Sequence, residues 1–153
     1  KELHNGNKSE ALRKFLRVCE SSSSGVLYNS ATAQAALLLA QQGDEKQAWE
    51  LLQKIKRPGP EAIALLQTLA FHKGLLQESI SYGDKAYRLR PNYDVAITNA
   101  MAHSLLRQVS QAIGWINCAA HELGHPLGDV LQKKEFDPIR SDPLFRSSTE
   151  GNN

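Results

Sequence analysis

Turn, small and apolar residues recur along the chain in four segments that align without gaps. They are Gly6-Asn7-Lys8-Ser9-Glu10-Ala11-Leu12, Gly43-Asp44-Glu45-Lys46-Gln47-Ala48-Trp49, Gly74-Leu75-Leu76-Gln77-Glu78-Ser79-Ile80 and Arg107-Gln108-Val109-Ser110-Gln111-Ala112-Ile113. In each, a small residue (Ala11, Ala48, Ser79, Ala112) follows the turn residue by five positions. These small residues are 37, 31 and 33 positions apart. Four residues further on come Phe15, Leu52, Gly83 and Ile116, and three beyond those Val18, Ile55, Ala86 and Ala119. Spacing of i, i+4 and i+7 defines one face of a helix. Glycine ends the preceding helix because it takes the left-handed conformation without a Cβ clash. The small residue then lets the two helices approach closely.

Each of the last three segments has a helical pattern before it. Residues 28–42 place Tyr28, Ala31, Ala35, Leu38 and Leu39 on one face. Residues 60–73 carry Ile63, Leu66, Ala70 and Phe71, and residues 92–106 carry Val95, Ala96, Ala100, Ala102 and Leu106. Loops separate the pairs at Glu20-Ser21-Ser22-Ser23-Ser24-Gly25, Arg57-Pro58-Gly59-Pro60 and Arg90-Pro91-Asn92. Proline and glycine are the expected punctuation there.

A period near 34 residues, each unit a helix, a turn and a helix, resembles the tetratricopeptide repeat family. The stretch Pro60 to Pro91 fits best, with Ile63, Leu66, Ala70, Gly74, Ser79, Ala86 and Pro91 at the motif positions. Three positions depart from the motif. Gln67 stands where a small residue is usual, Gly83 where a large one is, and Arg107 replaces the turn glycine. The resemblance implies an all-α fold, a right-handed superhelical solenoid of antiparallel helix pairs. It implies five segments: 1–25 as the second helix of a partial unit with a linker, units at 26–59, 60–91 and 92–125, and a capping segment with a frayed tail at 126–153.

The tail supplies the residues such a cap needs, because a repeat stack exposes an apolar edge at its end. Val130, Leu131, Phe136, Ile139, Leu144 and Phe145 are expected to cover it. Leu127 to Lys134 reads as a short helix. Asp137-Pro138 and Asp142-Pro143 read as helix starts, with Asp at the N-cap and Pro in the first turn. The array is expected to finish here, with Ser147 to Asn153 fraying, and to begin inside a longer protein, since Lys1 falls within a repeat.

Composition adds mainly exclusions. A formal net charge of +2, with basic residues scattered among acidic ones, marks no nucleic-acid surface. The longest apolar run, Ala35 to Ala40, is far short of the ~20 residues of a membrane span. Cys19 and Cys118 both fall on apolar stripes and read as buried free thiols of a chain in the reducing cytoplasm. No phosphate-binding glycine loop or nucleophile motif is present, and no cofactor is expected.

One segment imitates an enzyme. His121-Glu122-Leu123-Gly124-His125 matches the HExxH pattern of zinc hydrolases, in which both histidines share a helix face and the Glu activates a zinc-bound water. The repeat register instead ends the helix here. Gly124 falls at the C-cap and Pro126 follows His125, so the i, i+4 geometry is lost. No third ligand completes a site, and the chain is read as neither metalloprotein nor enzyme.

The leading functional expectation is a protein–protein interaction module, a scaffold or adaptor. In the family, first helices line the concave face. Matched by position, that wall is Ala33, Gln34, Leu37 and Gln41, then Ala64, Leu65, Thr68 and His72, then Asp94, Ile97, Thr98 and Met101. Its amides, hydroxyls and apolar patches suit a peptide or protein partner. The positions that hold a chaperone's C-terminal carboxylate in some members are Ala33, Leu37, Leu65, Asp94 and Thr98 here, so no such tail is expected to bind. Trp49 and Trp115 read as packing residues. The rival reading is a self-associating or regulatory appendage of a larger, enzymatic protein.

Overall fold

The computed structural model describes residues 10–14, 17, 26–124 and 127–150. Among them every regular element is helical. Residues 10–14 and 17 are helical; Phe15, Val18 and Cys19 lie outside the described residues. The helices are α1 (Val26–Gln41), α2 (Glu45–Gln53), α3 (Pro60–His72), α4 (Leu76–Leu89), α5 (Tyr93–Leu105), α6 (Val109–Asn117) and α7 (Pro143–Glu150). A π-turn, Cys118–Glu122, extends α6, and two 3-10 helices, Gly128–Gln132 and Lys134–Ile139, precede α7. No helix among the described residues is long and apolar enough to cross a membrane. The chain divides into two compact units, one ending at Leu66 and the other beginning at Gln67.

The same turn is built three times. After α1, the N–H of Asp44 donates to the Leu39 carbonyl at 2.9 Å and that of Gly43 to Ala40 at 3.0 Å. After α3, Leu75 donates to Ala70 at 2.9 Å and Gly74 to Phe71 at 3.0 Å. After α5, Gln108 donates to His103 at 2.9 Å and Arg107 to Ser104 at 2.8 Å. This pair of bonds is the Schellman cap, which satisfies carbonyls that a helix end leaves open. It requires a left-handed residue. Gly43 has φ +90°, Gly74 φ +80° and Arg107 φ +59°. Arginine thus adopts at 107 the conformation that glycine supplies in the other two turns.

Behind each turn, the small residue is fully buried at Ala48, Ser79 and Ala112. The next two positions of that face are buried as well: Leu52 and Ile55 in the first unit, Gly83, Ala86, Ile116 and Ala119 in the second. Each fully buried Leu or Ile side chain contributes roughly 1.5–3 kcal/mol relative to exposure. α1 packs on α2, and α5 packs on both α4 and α6. Asp44 caps α2 by accepting from the Gln47 N–H at 3.1 Å, and Asn92 caps α5 by accepting from Val95 at 3.1 Å. Both are short polar side chains suited to that position.

In the second unit one core joins α5, α6 and the C-terminal segment. Ala96, Ile97, Ala100, Ala112, Ile116 and Ala119 meet Leu127, Phe136, Ile139 and Phe145. Phe136 and Phe145 stack with centroids 6.1 Å apart. Val130 and Leu131 pack partly against this core, as expected. Leu144 does not: it is 57% exposed, because turning Phe145 inward rotates its helical neighbour toward solvent.

The two Asp-Pro pairs differ. Asp142 starts α7, its side chain accepting from the Leu144 N–H at 2.9 Å. Asp137-Pro138 starts nothing; Pro138 lies inside the 3-10 helix Lys134–Ile139. In that helix the N–H of residue 138 would bond the carbonyl of Glu135, and proline has none. The Ser104 hydroxyl takes its place, donating to Glu135 O at 2.7 Å. The expected helix at Leu127 to Lys134 is 3-10 over Gly128–Gln132. α7 continues past Ser147 to Glu150, with Thr149 Oγ1 donating to Phe145 O at 2.9 Å.

Candidate partner-binding surface

The residues expected to meet a partner lie on α1, α3 and α5, whose composition is unusual for helices that reach solvent. None contains Lys or Arg. Their only carboxylates are Glu61 and Asp94, each in a first turn, where a negative charge offsets the helix dipole. α1 has no charged residue at all. By contrast α2 carries Glu45, Lys46 and Glu50, and α4 carries Glu78, Asp84, Lys85 and Arg88. α6 is also free of charge.

Most of α1, α3 and α5 is buried, which explains their apolar character. What each leaves exposed is a narrow stripe at helical spacing. On α1 it is Ser30, Gln34, Leu37 and Gln41, with Leu37 39% exposed. Gln34, Leu37 and Gln41, three of the four α1 residues named from the sequence, therefore share one outward face, and Ala33 is half-buried. On α3, Thr68 is half-buried and His72 exposed, one turn apart. On α5 the stripe runs Asp94, Thr98, Met101, Leu105. Asp94 is exposed, and Thr98 and Met101 are half-buried. Met101 also packs against the core of the second unit, so only part of it is open to a partner. Gln34, Leu37 and Gln41 belong to the first unit and the other five to the second. Ile97 was expected on this wall and is instead buried in the core, one residue round the helix from Thr98.

Two depressions adjoin these stripes. In the first unit a cleft of about 330 Å³ is lined by Asn29, Ser30, Gln34, Arg57 and Glu61, among others. The Asn29 amide donates across its edge to the Arg57 carbonyl at 3.3 Å. In the second unit an open groove of about 770 Å³ includes Phe71, His72, Leu76, Leu105, Lys134 and Glu135. The sequence pointed to Gln34 and His72 but not to the loop and C-terminal residues beside them.

A buried polar network lies deeper in the second unit. Gln67 Nε2 donates to Val95 O at 3.0 Å and to Asn99 Oδ1 at 2.9 Å. Asn99 Nδ2 donates to Asp84 Oδ1 at 3.1 Å, and Ser79 Oγ donates to Gln67 O at 2.9 Å. Gln67 and Asn99 are each at most 1% exposed. No described buried side-chain polar atom lacks a hydrogen-bond partner.

The HExxH segment takes a shape of its own. Cys118–Glu122 winds as a π-turn, and Gly124 follows at φ +65°, ending the helix where expected. His121 is exposed, and His125 lies outside the described residues. Glu122 Oε2 accepts a hydrogen bond from the Tyr87 hydroxyl at 2.8 Å. Tyr87 in turn meets Trp115 edge-on, with centroids 5.1 Å apart. Among the described residues no three His, Cys, Asp or Glu side chains come together as a metal site. Burial first, then the Glu122 carboxylate, pushes the Tyr87 hydroxyl up to about 12. The same two causes raise the half-buried, unpaired Cys118 thiol. Compared with family models, curated proteins and solved structures, the chain matches none.

Proposed function

We propose that this chain is a tetratricopeptide-type array that holds a protein or peptide partner on its first helices, α1, α3 and α5. In this reading 26–59, 60–91 and 92–125 are successive units of a right-handed solenoid, and the segment after 126 is the cap. Two features support the family. The Schellman turn recurs at residues 43, 74 and 107, and a buried small residue follows each one. Backbone geometry repeated at that interval is what a repeat of about 34 residues produces.

The observation that carries the function is the exposed stripe Ser30, Gln34, Leu37 and Gln41. It presents amides, a hydroxyl and a leucine along a helix without charge. Such a surface offers hydrogen bonds and apolar contact but no means of catalysis. That chemistry supports a scaffold or adaptor role.

The test is capture followed by titration. Proteins retained by the immobilised chain are identified, purified and titrated against the natural chain and against Gln34→Glu with Leu37→Lys. Both substitutions lie on exposed positions, so the fold is retained, and circular dichroism checks this. Loss of affinity by about tenfold or more, roughly 1.4 kcal/mol, supports the reading. Equal affinity of both proteins for every purified candidate overturns it.

A further inference from the structure

We infer that the exposed face at the end of α4 holds an acidic segment of a polypeptide partner, with carboxylates beside an apolar side chain. The face is formed by Lys85, Arg88 and Leu89, and it does not depend on the reading just given. Ser81, Lys85 and Arg88 follow one another at helical spacing, and all three are exposed. Leu89 beside them is 59% exposed, more than any other large apolar side chain among the described residues. One exposed leucine is ordinary by itself; the cations next to it give it a context. Among the described residues neither Lys85 nor Arg88 makes an ion pair. Arg90, just past the helix, takes part in an interaction of its own, so the face rests on the other two cations. Arg88 in the last turn offsets the helix dipole, but Lys85, a turn earlier, gains little from it.

The acids of the same helices are engaged elsewhere or set apart along the chain. Asp84 is half-buried, and its Oδ1 accepts from Asn99 Nδ2 at 3.1 Å. Glu122 Oε2 accepts from the Tyr87 hydroxyl at 2.8 Å. Glu78 stands two turns before Lys85, and Asp94 lies in the first turn of α5, beyond Pro91 and Asn92. In the first unit Lys54 and Arg57 hold the corresponding positions, 31 residues earlier. There, however, Glu50 lies one turn before Lys54, and Glu61 lines the same cleft as Arg57. The positive surplus is therefore clearest on α4. Residues one turn apart on a helix have Cβ atoms ~5–6 Å from each other. Alternate side chains of an extended segment share one face about 6–7 Å apart, so Glu-x-Glu can reach both cations and an apolar residue after it can reach Leu89. Two cations are too few for a phosphate backbone or an anionic bilayer, which engage clusters of about four or more. Exposed ion pairs are individually weak and screened by salt, so the affinity is modest and falls with ionic strength.

The experiment titrates the whole chain with a fluorescent, terminally capped peptide, Ser-Glu-Ser-Glu-Ser-Leu in tandem, and with the same peptide carrying Gln for Glu. At ~50 mM NaCl the acidic peptide should bind about tenfold tighter than the neutral one, and ~500 mM NaCl, which shortens the Debye length severalfold, should remove most of that preference. Lys85→Gln with Arg88→Gln should weaken the acidic peptide about tenfold, with circular dichroism confirming the fold. Lys85→Arg with Arg88→Lys keeps both charges and should bind as the natural chain does. Leu89→Ser should weaken the acidic peptide severalfold. Equal or undetectable binding of the two peptides overturns the inference. So does an acid preference that survives the double Gln substitution, which would place it at other cations. A DNA duplex or phosphatidylserine vesicles bound more tightly than the peptide, and released by the same substitution, reassign the face to phosphates and overturn it too. A dimer of the natural chain that this substitution dissociates assigns the face to a second copy, with the same consequence. None of these results bears on the stripes of α1, α3 and α5, so the functional reading stands or falls separately.

Discussion

Gly83 lies directly against Asn99: a Cβ built at position 83 would collide with the Asn99 side-chain amide and with Gln67 Nε2. This contact accounts for two departures from the repeat motif at once. A long polar side chain, Gln67, occupies the place of a small one, and the opposite position gives up its side chain to make room. Gly83→Ala should cost about 2–4 kcal/mol, through overpacking and a broken buried network. Asn99→Ala alone should cost about 1–3 kcal/mol by leaving Gln67 and Asp84 short of a partner. The double variant should lose less than the sum, since removing the amide relieves part of the collision. Urea denaturation of the four proteins measures this coupling. Strict additivity would mean that the two positions do not act on each other.

Arg107 holds a conformation that costs a non-glycine residue roughly 1–2 kcal/mol. Its bonds through Ser104 and His103 match those made at Gly43 and Gly74, so the backbone already suits glycine. Arg107→Gly should therefore stabilise the chain by about 0.5–1 kcal/mol, with glycine's greater unfolded-state entropy taking back part of the gain. For a chain this long that raises Tm by about 1–4 °C. Gly74→Ala should move Tm the other way. A fall in Tm for Arg107→Gly would show that the arginine side chain earns its place through contacts rather than suffering the turn.

Helices and turns were legible in the sequence because each was specified by residues close together. The Gly43 and Gly74 turns and the small residues Ala48, Ser79 and Ala112 behind the turns all follow from local spacing. Three things were not legible, and each depends on residues far apart in the chain. Gln67 and Asn99 are 32 positions apart, and neither alone signals a network. Pro138 reads locally as a helix start; only Ser104, 31 positions before the Glu135 carbonyl, makes it acceptable within a 3-10 helix. Ile97 and Thr98 are neighbours, and periodicity could not decide which would face the cap until Phe136 and Phe145 were in place. Gln34 and Leu37 were reached through the family resemblance, and in the structure the buried Ala35, Ala36 and Leu39 leave them the outward side of α1.

Arg140 ties together the segment between the first 3-10 helix and α7. Arg140 donates through Nη1 to Leu131 O at 2.8 Å, through Nη2 to Lys133 O at 2.9 Å and through Nε to Asp137 Oδ1 at 3.0 Å. The planar guanidinium meets three acceptors spread over seven residues, a fork that lysine cannot reproduce. The Asp137 pair alone is exposed and worth little. The two carbonyls matter more, because they end the first 3-10 helix and the link after it. Arg140→Ala should cost about 1–3 kcal/mol, and Arg140→Lys should recover only a minor part. Hydrogen exchange should rise first at Gly128–Gln132 and Lys134–Ile139. Full stability in the lysine variant would reduce the role of Arg140 to its charge.

The Tyr87 hydroxyl and the Cys118 thiol are both raised beside the Glu122 carboxylate. Burial opposes ionisation of Tyr87, and its hydrogen bond to the Glu122 carboxylate exists only while the phenol holds its proton. The folded pKa of about 12 lies above the ordinary tyrosine value of 10.0. The folded state thus binds this proton more tightly than the unfolded state. The associated stability is fully present below pH 10 and is lost as pH rises through about 12. Ultraviolet titration of the phenolate should show one tyrosine ionising near 12 in the native protein. Glu122→Gln removes the carboxylate that holds both neighbours protonated, so both groups should fall. Cys118 should then react faster with a thiol reagent at neutral pH, because the thiolate is the nucleophile. Tyr87→Phe should act oppositely on the thiol, since the Tyr87 hydroxyl is the one neighbour that lowers it. Unchanged thiol reactivity in Glu122→Gln, with the fold intact, would show that burial alone sets the behaviour of Cys118.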